Sequence, residues 1–439
     1  MRYKKILLSF IFILVIILIY TIYKDKIIFK GTQNDFYKKY YYVFFVLISF
    51  LSLFLFLKKN YTEYLFIGIF SLLISFYLTE FYLTIKYNHN SYNKYKNKNN
   101  FDPTSLIDKL KKNDYIIFTI FPSIYLKEKN NLFPFSGISE SETLHCNENG
   151  YFSNYVSDRY GFNNPDKEWD GEKIGYLTLG DSYVHGACVN RPDDISSQLR
   201  ILSNKKVLNL GYSGNGPLLQ FSTLREYGFL NVENILWFFF EGNDLSDLKN
   251  EIKSSVLIKY LNDDNFSQNL KNRQSEIDEL GKKYLTKHND KIIKYYENSI
   301  LKIAKKKKFE SNFLPKFIKF LKITNTRESL TIYKNNEIKF KEFKIILSKA
   351  KKIARDKGAN FYFIYIPEYN RYRTNYKNNS YNKIKKIVNE LNINLIDLHE
   401  SFFSKDKNPT RYYPFNLDGH FTEMGYHEIS KHIYNYINK

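Results

Sequence analysis

Three apolar stretches open the chain: Ile6–Tyr23, Tyr40–Leu57 and Tyr64–Ile85, the last broken only by Glu80. A helix that crosses a bilayer needs roughly 20 apolar residues, about 17–25. Each stretch meets that length, so residues 1–90 are expected to form a membrane anchor of about three transmembrane helices. Lys4, Lys5, Lys24, Lys26, Lys58, Lys59 and Lys86 bracket the stretches, and tyrosines crowd their ends as interfacial anchors do. No small-residue cleavage site follows the first stretch, only KDKIIFKG, which argues against a signal peptide. Glu80 reads as an end residue reaching the interface.

The pattern then changes. Residues 88–113 are a polar Asn/Lys-rich linker, and 91–170 form a linker and N-terminal lobe. Beyond it, continuous apolar runs at Ile174–Leu179, Lys206–Leu210, Ile235–Phe240, Phe361–Ile366 and Ile393–Leu398 read as strands buried on both faces. Helical patterns lie between them at Asp194–Leu202, Lys341–Lys357 and Tyr381–Leu391. This alternation predicts a doubly wound α/β sheet of about five parallel strands over 171–439. A lysine-rich helical insertion at about 249–340 interrupts it. Within the insertion, Phe313, Leu314, Phe317, Ile318, Phe320 and Leu321 share one helical face, opposite Lys316, Lys319 and Lys322. Such a helix either lies on an anionic membrane surface or packs on the domain.

Composition changes this picture little. The 439 residues are 44% hydrophobic and 18% aromatic, enough for a sizeable core, with a formal net charge of +21. Lysine, asparagine, isoleucine and tyrosine abound along the whole chain, as a coding bias would produce. No zinc-finger spacing or RNA-binding aromatic signature accompanies the charge, so no nucleic-acid partner is expected.

Parallel α/β sheets place their sites at the carboxyl ends of the strands. After the first strand comes Gly180-Asp181-Ser182; after the second, Asn209 to Pro217 (NLGYSGNGP); after the third, Glu241 to Asp244 (EGND). Late in the chain comes Leu417 to His427 (LDGHFTEMGYH). A hydroxyl, a glycine-rich loop, an amide and an Asp/His pair thus converge on one edge. Ser182 is a candidate nucleophile, His420 its base, and Asp418 the group that orients the imidazole. The N–H of Ser182, an N–H near Gly214 and the amide of Asn243 are candidate oxyanion donors. Ser213 is a rival hydroxyl, but GYSGNG is not a Gly-x-Ser-x-Gly elbow.

With these four blocks in order, the chain resembles the SGNH/GDSL hydrolases over about residues 170–245 and 340–439. The resemblance implies a three-layer α/β/α, flavodoxin-like fold and a serine esterase without a cofactor or metal. Two positions depart from the family pattern. Glu241 stands where the third block usually has glycine, and only Gly419 separates Asp418 from His420, where two residues are usual.

Cys146 and Cys188 are the sole cysteines. They form a bridge pinning the stretch around Cys146 beside the serine loop, or stay as two thiols. A zinc set of His145, Cys146, His185 and Cys188 is disfavoured by the adjacency of its first two members. A bridge implies an oxidising compartment, whereas the lysine distribution would place the large domain in the cytoplasm. Membrane-tethered members of the family act on envelope or exported glycans. The resemblance therefore implies an integral protein of a bacterial inner membrane with a periplasmic or extracellular catalytic domain. The expected activity is hydrolysis of an O-acyl, for example O-acetyl, ester on a carbohydrate, with the lipid bilayer and the small ester as partners. An acyltransferase using the same triad and a silent glycan-binding module are the alternatives.

Overall fold

The computed structural model describes residues 2–28, 34–56, 58–88, 116–127, 132–228, 231–288, 291, 294, 317–318, 320–330, 339–373 and 378–439. The expected linker at 88–113 and the expected face at Phe313 and Leu314 lie almost entirely or wholly outside them. The chain divides into two units: Met1–Lys86 with Phe317–Arg327, and Tyr87–Lys316 with Glu328–Lys439.

The first unit holds the helices Arg2–Tyr23, Asn34–Leu53 and Lys59–Asn88. Among the described residues, two segments are long and apolar enough to cross a membrane: Lys4–Ile28, near the N-terminus, with mean hydropathy 2.9, and Glu63–Ile85 with 1.7. Their large apolar side chains stand outward, Phe12 at 66% and Phe70 at 65% exposure. Of the three expected spans, two are thus found as candidates and the third is not clearly one. The helix at Asn34–Leu53 stops at Leu53, and its first turns carry Lys38 and Lys39. That leaves about 14 uncharged helical residues, roughly 21 Å at 1.5 Å per residue, against a hydrocarbon core of about 30 Å.

Glu80 also differs from expectation. It is fully buried. Its carboxylate accepts from Asn325 N (3.1 Å) and Nδ2 (3.0 Å), and from Thr326 N (2.8 Å) and Oγ1 (2.9 Å). It thereby satisfies open N–H groups at the start of the helix Thr324–Leu330. In the same unit Phe320 packs on Tyr77, ring centroids 5.5 Å apart, and the Tyr77 hydroxyl donates to Leu321 O at 3.1 Å. This part of the insertion therefore packs against the third helix of the first unit.

The second unit contains two sheets. The small one pairs β1 (Ile116–Phe118) parallel to β2 (Glu142–Leu144), which pairs antiparallel to β3 (Asn154–Val156). The large one is built from β4 (Ile174–Leu179), β5 (Val207–Asn209), β6 (Val232–Phe240), β7 (Asn360–Ile366) and β8 (Asn394–Asp397). All its pairings are parallel, in the order β5-β4-β6-β7-β8. That order is flavodoxin-like.

The continuous apolar runs are explained by two cores, one on each face. Trp237 and Phe239 of β6, with Phe363 and Tyr365 of β7, share a core with the helices Pro217–Tyr227 and Phe340–Asp356. The intervening Leu236 and Phe238, with Ile364 and Ile366, share the other with Ile195–Ser203 and Glu423–Ile437. Side chains alternate across a strand, so a strand covered on both sides is apolar at most positions on either face.

Candidate active site

Gly180 follows β4 where a Cβ would collide with the Val184 side chain. The chain turns at once into the four-residue helix Ser182–His185, capped by Asp181, whose side chain accepts from Tyr183 N at 3.0 Å. Ser182 thus stands at the carboxyl edge of the sheet and is half-buried. Its Oγ lies 2.8 Å from His420 Nε2. His420 precedes the helix Glu423–Ile437, and its ring packs on Tyr183 at 4.9 Å.

The other face of the imidazole meets a residue that the sequence reading did not single out. His420 Nδ1 lies 3.0 Å from Glu148 Oε2, and the same oxygen accepts from His420 N at 2.5 Å. Glu148 comes from the loop between β2 and β3. Asp418, expected in this place, is exposed and makes no hydrogen bond to His420 among the described residues. Gly419 explains the substitution of one acid for the other: a Cβ there would lie 2.8 Å from Glu148 Oε2. The short Asp-Gly-His spacing therefore leaves the room in which Glu148 reaches the ring.

Burial works against both charges, but their mutual contact outweighs it. Burial lowers the His420 pKa, yet the hydrogen bond and charge of Glu148, with the charges of Asp181 and Asp418, hold it above the ordinary histidine value. Burial raises Glu148, yet its bonds to His420 hold it below the ordinary carboxylate range. Asp418 is pushed up, by desolvation and by the neighbouring Glu148 charge.

The Glu148 loop is tied on several sides. Cys146 is disulfide-bonded to Cys188, with Cα atoms 4.9 Å apart and 42 positions between them in sequence. Closing a loop of that size stabilises the fold by about 4 kcal/mol in the chain-entropy model. Asn149 Nδ2 donates to Cys188 O at 3.0 Å and to Phe421 O at 3.4 Å. The bridge also disposes of the zinc set: both sulfurs are consumed, and His145 and His185 are held by Ser213. Glu148, Cys188 and His420 offer ligand atoms within 4.8 Å of one another, but the Cys188 sulfur is already bonded to Cys146.

Ser213 makes a second serine–histidine contact. Its Oγ lies 2.9 Å from His145 Nε2 and 3.0 Å from His185 Nδ1. His185 Nε2 lies 2.8 Å from the Tyr155 hydroxyl. Burial lowers the pKa of both histidines, His145 to about 3. Ser213 is only 2% exposed. It is buried in the glycine loop, whereas Ser182 is partly exposed.

The expected oxyanion donors occupy neighbouring strand ends. Gly214 follows β5 with φ +83°, a conformation that favours glycine. Asn209 ties its loop to the serine loop, with Oδ1 accepting from Gly211 N (2.9 Å) and Nδ2 donating to Val184 O (2.8 Å). Asn243 begins the helix Asp244–Glu251 but does not cap it with its side chain. The last residue of that helix, Glu251, accepts from Gly216 N (2.6 Å) and Leu218 N (2.9 Å), joining the two loops. Glu241, at the departure in the third block, is wholly buried against Arg371. It accepts from Arg371 Nε at 3.0 Å and Glu368 N at 2.9 Å. It fastens the end of β6 to the loop after β7.

No protein-family model matches the chain, and no curated protein does. Among solved structures, it is similar to a protein from Desulfitobacterium hafniense described as lipolytic and of the G-D-S-L family. The match has a TM-score of 0.31 and 10% identity, and covers 60% of this chain and 99% of that one. So loose a likeness assigns no residue a role.

Proposed function

We propose that this chain is a membrane-anchored serine esterase that hydrolyses an O-acyl ester, such as an acetyl ester, on a carbohydrate of the cell envelope. The observation that carries the reading is one imidazole held between the Ser182 hydroxyl at 2.8 Å and the Glu148 carboxylate at 3.0 Å. In the required tautomer, His420 Nδ1–H donates to Glu148 and Nε2 accepts from Ser182.

Ser182 Oγ attacks the ester carbonyl carbon and passes its proton to His420 Nε2. The oxyanion is received by the N–H of Ser182, an N–H near Gly214 and the amide of Asn243. Collapse expels the alcohol, which takes the proton from His420. Water then gives a proton to His420 and attacks the acyl-enzyme, releasing the acid and restoring Ser182. Glu148 fixes the ring and stabilises the imidazolium at both steps. It takes the role first expected of Asp418.

The two apolar segments support membrane anchoring, and the disulfide supports a catalytic domain outside the cytoplasm. Full-length protein in detergent, assayed on aryl esters and acetylated sugars, tests the activity. Turnover by the wild type that is lost in Ser182→Ala supports it. Equal turnover by both proteins overturns it.

A further inference from the structure

Between Leu144 and Asn154 the chain forms neither helix nor strand, yet this is where Glu148 sits. The position of its carboxylate is therefore set by what ties the loop down. Cys146, two residues before Glu148, is bonded to Cys188, six residues after Ser182. Asn149, one residue after Glu148, grips the Cys188 carbonyl from one side and the Phe421 carbonyl, next to His420, from the other. Cys188 Sγ lies 4.0 Å from His420 Nδ1. Cys188 itself has φ +64°, so the serine loop is shaped to present this sulfur and carbonyl to the Glu148 loop. Further along, the Tyr151 hydroxyl donates to Glu423 Oε1 at 2.8 Å, near the start of the helix that follows His420.

We propose that the Cys146–Cys188 bridge, together with Asn149, is the positioning element for Glu148, so that the esterase works only with the bridge formed. The inference rests on the functional reading above. Its physical content is that the carboxylate must meet a ring nitrogen at 3.0 Å, and the loop carrying it has no other covalent hold on the serine loop. A displacement of about 1 Å at such a contact costs about a hundredfold in rate. Reduction by a dithiol delivers two electrons and two protons to the bridge, giving two thiols and the cyclic disulfide of the reductant. The charge that holds the His420 pKa up would then be withdrawn from the ring.

The test uses full-length protein in detergent and an aryl ester. Cys146→Ser/Cys188→Ser is compared with the parent in the wild-type and Glu148→Gln backgrounds. In the wild-type background kcat is expected to fall about a hundredfold, with KM nearly unchanged and the acid limb of the pH profile moved to lower pH. In the Glu148→Gln background, loss of the bridge should cost little, because the group it positions is already gone. Full loss in both backgrounds, or an unchanged kcat and pH profile in the first, overturns the inference. If the serine variant fails to accumulate, purified wild type is reduced and reoxidised instead. Activity kept after both thiols are alkylated overturns the proposal; activity lost on reduction and restored by reoxidation supports it. Ser182-dependent turnover that is undiminished by bridge loss sinks this inference alone. Oxidised wild type with no Ser182-dependent turnover sinks the functional reading as well.

Discussion

The carboxyl edge of the large sheet and the loop between β2 and β3 meet at His420, and they are built differently. At the sheet edge, Ser182, Gly214 and Asn243 each follow a buried strand, so their places are set by parallel pairing and by two packed faces. The Glu148 loop has no such scaffold. It is held by a disulfide, the Asn149 amide and a gap at Gly419. The proposed nucleophile and oxyanion donors thus sit on the sheet, while the proposed orienting acid is brought in from outside it. Such a division makes the acid the more separable part of the machinery.

The sharpest break of this comparison comes from the acids. With Ser182→Ala as the reference for complete loss, Glu148→Gln is expected to lower kcat by about 10³–10⁴, the scale seen when a triad acid is neutralised. Asp418→Asn, which removes no hydrogen bond to His420, should cost less than about tenfold. The reverse order would return the orienting role to Asp418. Steady-state kinetics on one aryl ester decides between them.

Asn243→Ala tests the frame side. Loss of one oxyanion donor typically costs about 10²–10³ in kcat. KM should change little, because the interaction strengthens only as charge develops. A pure KM effect would make Asn243 a ground-state binding group.

Gly419→Ala probes the gap. The new methyl meets the end of a flexible side chain, Glu148 Oε2 at 2.8 Å, so the cost to stability should be small. Activity should fall by about ten- to a hundredfold as the carboxylate is displaced. A melting temperature and a kcat measured on the same preparation separate the two effects.

The smallest effect is a shift in pH. His420 acts as a base only when neutral, so kcat/KM falls as pH drops through its pKa, which Glu148 holds above the ordinary value. The acid limb of the wild type should therefore lie above about pH 6.5. In Glu148→Gln it should move to lower pH, since burial then acts with less opposition. An acid limb at the same pH in both proteins would mean that Glu148 does not touch the base in solution.

What the sequence made legible follows the same divide. Strands buried on both faces leave uninterrupted apolar runs, and glycine, serine and asparagine at their ends are local signals. Glu148 left no local signal. Its place depends on a bridge spanning 42 positions and on a missing side chain at Gly419. The cysteine two residues away and the shortened Asp-Gly-His spacing were the available clues. Counting uncharged residues in the second apolar stretch does not reveal that its helix stops at Leu53. Glu80 was unreadable for a related reason: the groups it caps lie 245 and 246 positions later.

The most direct test of the central claim is to map the adduct of a fluorophosphonate probe on the full-length protein by mass spectrometry. Of the two serines the sequence offers as nucleophiles, Ser182 is partly exposed and Ser213 is only 2% exposed. The account predicts an adduct on Ser182 in the wild type and in Ser213→Ala, none in Ser182→Ala, and slower labelling in Glu148→Gln. An adduct on Ser213, or labelling of Ser182 at an unchanged rate without Glu148, would contradict it.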